Sequence, residues 1–315
     1  MAPFSIIYNY VCGFKNDFAK VMIKKVFSSL GVGLLYLLSL LPYFILYLIA
    51  DVIFVVIYYI IGYRRKVVQQ NLANSFPEKT LAERKVIEKK YFRFLADLVM
   101  ETIKLTTLSP QETIKRVEIR DSLLLSNPAF KQGKSIIAAV GHYGNWESGC
   151  LRMGLVKDRP CIIAYKPLSN AVFDKFFFDL RSRFGAILVP MKSTFRKVVE
   201  YRKQVTLTVL AGDQTPAYSE AHYFTTFLNQ PTAVFLGVEK LAKATDSLVV
   251  FCDVRRVKRG YYSCTFVPLF DNPKETAEYE ITNAHVQYLE NVIREEPEYW
   301  LWSHRRWKFK PADIS

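Results

Sequence analysis

The chain has 315 residues, enough for one large domain or two small ones, and half of them are hydrophobic. Lys and Arg outnumber Asp and Glu by 43 to 29, so the net charge is +14 and the surface favours anionic membranes, nucleic acid or acidic proteins. The five cysteines (Cys12, Cys150, Cys161, Cys252 and Cys264) show no C-x-x-C pairing, which argues against zinc and a disulfide framework and suits a reducing compartment.

Residues 1–28 carry Lys15, Lys20, Lys24 and Lys25 against Asp17, with no small-residue cleavage site after the apolar run, so no removed signal peptide is expected. From Leu30 to Gly62 the chain is almost wholly apolar. That run exceeds the ~20 residues of one membrane-spanning helix and is too short for two. Pro42 breaks it, Asp51 interrupts it, and Arg64-Arg65-Lys66 closes it. The expectation is a kinked, monotopic or re-entrant helical pair, with one tilted span as the rival and a buried pair of core helices as the bland alternative. Residues 1–66 then form a membrane-anchoring segment and residues 67–315 the catalytic domain.

Asn71 to Pro77 reads as a helix end and loop. Thr80-Leu-Ala-Glu83 is a capping box, opening a helix with Ile87, Tyr91, Phe94, Leu95, Leu98 and Ile103 on one face. Ser109-Pro-Gln-Glu112 repeats the start signal. Neither helix offers chemistry.

Ser135 to Val140 reads as a buried strand, and Gly141 and Gly144 bracket a tight turn. Asn145 is a good N-cap for the helix that Trp146-Glu147 would begin. This places His142 at the carboxyl end of a strand and Glu147 in the first turn of a helix, where α/β sheets gather ligands. A neutral imidazole takes a proton from a hydroxyl near pH 7, and a carboxylate at its other nitrogen fixes the tautomer. No G-x-S-x-G elbow supplies a nucleophile, so the activated hydroxyl would be the substrate's. The bland reading is a turn histidine and a carboxylate favoured by the helix dipole.

Further short strands are expected at Cys161–Tyr165, Ala186–Val189, Val205–Ala211, Leu248–Cys252 and Tyr262–Val267, with helices around 146–156, 170–183, 193–203 and 232–245. The alternation predicts an α/β domain, a central mixed sheet flanked by helices. The last two strands are expected to pair antiparallel across Arg255–Gly260, before a final amphipathic helix at 278–295. Lys166 and Asp213 both follow strands, and Arg181 closes a helix. Arg181 and Asp213 carry opposite charge and are expected to pair. Each also has an ordinary reading: a surface lysine, a turn aspartate, a dipole-compensating arginine. His304-Arg-Arg-Trp-Lys308, preceded by Trp300 and Trp302, suits a membrane interface with phosphate headgroups, and no nucleic-acid reader fold accompanies it. His222 and His285 read as structural.

Taken in order, the apolar N-terminus, Asn71-Leu-Ala-Asn-Ser-Phe-Pro77, Gly141-His-Tyr-Gly-Asn-Trp-Glu147, Tyr165-Lys-Pro167, Arg181-Ser-Arg-Phe-Gly185, Asp213-Gln214 and His304-Arg-Arg-Trp-Lys308 resemble the lipid A late acyltransferases. These belong to the glycerolipid-acyltransferase superfamily, which shares H-x-x-x-x-E/D. The resemblance implies an inner-membrane enzyme, active on the cytoplasmic face. It would move an acyl chain from an acyl carrier protein thioester to a hydroxyl of a lipid A precursor. His142 would be the base and Glu147 its partner, with Arg181 and Asp213 completing the catalytic set. Asn145, Lys166, Gln214, His304, Arg305, Arg306 and Lys308 would contact substrate, and no metal or cofactor is implied. At 166 the family usually carries Arg, so Lys166 departs from it and loses a bidentate grip. The rival readings are another acceptor (a lysophospholipid, an aminoacyl lipid or a phosphatidylinositol mannoside) and a non-catalytic lipid-binding protein on the membrane surface.

Overall fold

A computed structural model describes residues 22, 24–120 and 133–313; Cys12, Lys15, Asp17 and Lys20 lie outside the described residues. Pro42 divides the apolar run as its missing N–H dictates. Helix α1 covers residues 24–40, the chain breaks at Leu41 and Pro42, and α2 (Tyr43–Val55) continues into a π-helical turn, Val56–Ile60.

Tyr43–Ile60 is long and apolar enough to cross a membrane, yet it has two different faces. Leu46, Ala50, Phe54 and Tyr58 recur every four residues and are buried, in one core with Tyr91, Phe92 and Met100. On the other side Phe44, Leu48 and Val52 are more than 60 % exposed. Polar ties fix the buried face: Tyr47 donates to the buried Glu101 at 3.2 Å, and Arg259 bridges Asp51 and Asp97.

Helix α3 (Arg65–Ser75) follows, so Asn71 lies inside a helix rather than opening a loop. Helix α4 (Leu81–Lys104) starts at the expected capping box: Thr80 Oγ1 accepts from Glu83 N–H and Glu83 accepts from Thr80 N–H. Its buried stripe includes Ile87, Tyr91, Phe94, Leu98 and Ile103. Helix α5 (Pro110–Arg116) is capped by Ser109 and runs directly into β1 (Val117–Arg120), a strand too short to show a periodicity in sequence.

The remaining elements alternate. They are β2 (Ile136–Val140), α6 (Trp146–Met153), β3 (Cys161–Tyr165), α7 (Ala171–Ser182), β4 (Ile187–Pro190), α8 (Thr194–Glu200) and β5 (Leu207–Ala211). A separate hairpin, β6 (Phe224–Phe227) and β7 (Gln230–Ala233), comes next. Helix α9 (Gly237–Thr245), β8 (Leu248–Lys258), β9 (Tyr261–Phe270) and α10 (Glu280–Glu295) complete the fold. The helix expected from 232 therefore starts later, because Thr232 and Ala233 pair with Thr225 and Phe224.

Among the described residues seven strands form one sheet in the order β1-β9-β8-β2-β5-β3-β4, every neighbouring pair parallel except β8 with β9. The expected mixed α/β sheet is present, with β8 and β9 longer than their apolar cores suggested. Alternate residues face opposite cores. Ile137, Ile162, Val189 and Leu210 meet Val198 of α8, Val238 of α9 and Leu289 of α10. Ile136, Ile163, Leu188 and Val209 meet Met153 of α6, and Leu151 of α6 packs on Leu180 of α7. Helices α6 and α7 thus cover one face, and α8, α9 and α10 the other.

Candidate active site

Strand register builds the centre of the site. Val140 is paired with Ala211, and both strands point the same way. Two residues past each of those positions stand His142 and Asp213, side by side at the carboxyl edge. Asp213 Oδ1 is 2.6 Å from His142 Nδ1, while Oδ2 accepts from His142 N–H at 2.8 Å and from Trp300 Nε1 at 2.9 Å. With both oxygens engaged, the Asp213 side chain is only 2 % exposed and that of His142 20 %. Burial alone would push the Asp213 carboxyl up, but His142 and the hydrogen bonds outweigh it and hold the group at about 2. Burial likewise works to lower His142, and the adjacent Asp213 outweighs it, so the imidazole ends above its ordinary range. Nδ1–H donating to Asp213 leaves Nε2 as the basic nitrogen, with no hydrogen bond to a described residue.

The turn after β2 is shaped for this. Gly144 adopts φ +59°, and a Cβ there would lie 2.8 Å from the Val254 carbonyl oxygen. Gly144 N–H donates to Tyr299 O at 3.0 Å, and Tyr143 pairs with Trp300. The turn is thereby stitched to the C-terminal segment that delivers Trp300 to Asp213. That segment is itself anchored: Asn71 Nδ2 donates to the carbonyls of Trp302 and His304, and Tyr91 Oη accepts from Ser303 N–H.

Glu147 does not hold His142, which corrects the sequence expectation. It accepts two hydrogen bonds from Arg181, from Nε at 2.7 Å and from Nη2 at 2.5 Å. The side chains are 8 % and 21 % exposed, and burial of Arg181 is outweighed by Glu147, which raises its pKa. The expected Arg181–Asp213 pair is likewise replaced. Glu147 lies in the first turn of α6 and Arg181 in the last turn of α7, two helices on the same sheet face, whereas Asp213 follows β5, the strand beside β2. Trp146 lies between the two pairs, edge-on to the His142 ring at 5.0 Å and donating to Glu147 at 3.2 Å.

The other expected contacts scatter. Asn145 is fully buried as the cap of α6, accepting from Ser148 N–H and donating to Glu101, so it faces no substrate. Lys166 is exposed at the end of β3, and Gln214 is half-buried beside Asp213. Arg305 and Lys308 are exposed. His304 is held neutral by burial, its pKa lowered to about 4, and its Nε2 accepts from Thr215 N–H. Arg306 is 3 % exposed rather than a surface cation: Nη2 donates to Ala233 O, while Nε and Nη1 meet no described partner. It lines a cavity of about 10 Å³ behind Asp213, room for one water, together with Phe227, Phe251 and His285. Trp300 and Trp302 are 2 % and 0 % exposed, so they belong to the core and to the site, not to a membrane interface. The sequence reading missed Trp300 as a site residue, and its only signal was proximity to the basic run. Among the described residues no group of His, Cys, Asp and Glu is placed to hold a metal ion.

The family model for bacterial lipid A biosynthesis acyltransferases matches residues 12–309. The chain belongs to this family. It is 25 % identical over 288 residues to the lipid A biosynthesis lauroyltransferase of Escherichia coli K12, and 24 % identical over 292 residues to the palmitoleoyltransferase of the same strain. Each match covers 90 % of this chain and 92 % of the relative. A lipid A biosynthesis acyltransferase of Haemophilus influenzae is 23 % identical over 239 residues, covering 74 % of this chain and 72 % of the relative. In this acyltransferase the H-x-x-x-x-E residues, His142 and Glu147, thus sit in two separate side-chain pairs, His142 with Asp213 and Glu147 with Arg181.

Proposed function

We propose that this enzyme transfers a fatty acyl chain from an acyl carrier protein thioester to a hydroxyl of a lipid A precursor, with His142 as general base. The observation that carries this is the His142–Asp213 dyad at the carboxyl edge of the sheet, with Nε2 open. Nε2 takes the proton as the acceptor oxygen attacks the thioester carbonyl. The C–O bond forms, the tetrahedral intermediate expels the thiolate as C–S breaks, and the imidazolium returns its proton to that sulfur. Asp213 fixes the tautomer and stabilises the imidazolium. Backbone N–H groups near the start of α6 would stabilise the oxyanion. Arg181, braced by Glu147, contributes positive charge toward the reacting groups. The exposed apolar faces of α1 and α2 support membrane association, with residues 1–66 as the anchoring segment and residues 67–315 as the catalytic domain. The family match supports membrane association, and the reaction is assigned to the cytoplasmic face of the inner membrane, where acyl carrier protein and the glycolipid would meet.

The test is purified enzyme with acyl carrier thioester and a panel of acceptors, read by mass spectrometry. Mass gain by one acyl chain on the lipid A precursor is expected. Exclusive acylation of a lysophospholipid or another lipid would overturn the acceptor assignment.

A further inference from the structure

We infer that the outer face of α8 is the docking surface for the acidic acyl carrier protein, an inference that rests on the donor proposed above. Between Met191 and Gln204 the chain carries five basic residues and one acid, Glu200. Glu200 is tied to Lys197 at 2.5 Å. Among the described residues no carboxylate lies within 4.0 Å of Lys192, Arg196, Arg202 or Lys203, and all four are exposed. Thr194 and Val198 bury the inner side of α8, leaving Arg196 and Val199 on its outer side, with Lys192 in the 3-10 turn before the helix and Lys203 in the turn after it. Phe195 and Val199 are 55 % and 36 % exposed there. An uncompensated basic surface around an exposed aromatic fits an acidic partner with an apolar contact face.

Position ties this surface to the reaction. The segment begins directly after β4, at the same carboxyl edge as His142. Three strand spacings separate β2 from β4, roughly 14 Å. A thioester on an extended prosthetic arm crosses that distance while its carrier stays docked. Lys166 extends the patch toward the site, since Tyr165 is paired with Pro190 and the two chains leave the sheet together.

A membrane is the other anionic partner; the exposed apolar residues of α1 and α2 are the surfaces that favour it, and the vesicle arm of the test below separates the two. Helix α1, with Phe27 and Leu30 exposed, lies beside the start of α7, where Asn170 donates to Ser28 at 2.9 Å. Helix α7 covers the opposite sheet face from α8.

The test compares wild type with a Lys192→Glu, Arg196→Glu, Lys203→Glu variant, using an acyl carrier thioester and a small acyl-pantetheine thioester as donors. The expected result is a KM for the carrier thioester raised ~10–100-fold, with kcat and the rate from the small thioester unchanged. In wild type, added salt should raise the carrier KM in the same direction, a readout independent of whether the variant folds. An unchanged carrier KM in the variant, or a salt-insensitive one in wild type, overturns the docking surface and leaves the donor assignment intact. Wild type that uses the small thioester but refuses the carrier thioester overturns the donor assignment and this surface with it. Loss of flotation on phosphatidylglycerol vesicles by the variant, with carrier KM unchanged, assigns the patch to the membrane instead.

Discussion

His142 Nδ1 and Asp213 Oδ1 lie 2.6 Å apart because Val140 and Ala211 are paired two residues earlier on parallel strands. A carboxylate so placed favours the charged imidazole, and it overcomes burial to raise the His142 pKa above its ordinary 6.5. The base acts when neutral, so the acid limb of kcat/KM falls above pH 6.5 and activity climbs as pH rises through it. Asp213→Asn removes the attraction. It should move that limb to lower pH and reduce kcat by roughly 10²–10⁴-fold through loss of the tautomer. The profile of kcat/KM against pH checks this; a limb that stays put in Asp213→Asn contradicts it.

Glu147 and Arg181 are expected to behave as one unit. Their pair is partly shielded, between the exposed limit of about 0–1 kcal/mol and the buried limit of about 3–5. A double-mutant cycle on kcat/KM with Glu147→Gln and Arg181→Met should give coupling of roughly 1–3 kcal/mol. Arg181→Lys should recover little, since a lysine cannot donate through two nitrogens in parallel. The cycle of Arg181 with Asp213 should be near additive. Strong coupling there would point to a different arrangement during turnover.

Much of this fold was written in local pattern, and the site pairing was not. Apolar runs marked β2, β3, β4, β5 and β8, while Thr80 with Glu83 and Ser109 with Pro110 marked two helix starts. Those signals lie within a few residues of each other. Which strand neighbours β2 is a long-range property, and β5 lies between β2 and β3 although it follows both in sequence. The partner of His142 was therefore out of reach, and the nearby Glu147 took its place. The tryptophans of 300–307 misled for a related reason. Trp and Arg together suit a membrane interface, but Trp300 has its indole N–H satisfied by Asp213 and fits a core as well.

Arg306 is the cation that reading placed at the surface. It lies instead in the cavity wall behind Asp213, buried, with its pKa lowered to about 10 by burial against the pull of Asp213. Arg306→Met leaves the Asp213 charge less compensated, so His142 should bind its proton more tightly. Glu147 and Arg181 also face His142 and stay unchanged in this comparison. The acid limb should move to higher pH in Arg306→Met and stay in place in Arg306→Lys. Equal profiles in all three proteins would reduce Arg306 to packing.

The two faces of α2 should separate in experiment. Leu46 is fully buried, and Leu46→Ala should cost about 2–5 kcal/mol of stability, measured by denaturant unfolding in detergent. Leu48→Glu, on the exposed face, should leave unfolding nearly unchanged and weaken liposome flotation. Deleting residues 1–62 should unfold the protein rather than release a soluble enzyme, because it strips Leu46, Ala50, Phe54 and Tyr58 from the core. A folded, active truncated protein would contradict that packing.

The central claim, that His142 is the base for acyl transfer, meets its most direct test in a single-turnover measurement. Labelled acyl carrier thioester and lipid A precursor are mixed with excess wild type or His142→Ala enzyme. The variant should keep its fold by thermal unfolding, since His142 sits at a turn and is partly exposed. Its transfer rate should fall by ~10²–10⁴-fold. A well-folded His142→Ala enzyme transferring at close to the wild-type rate would contradict the account.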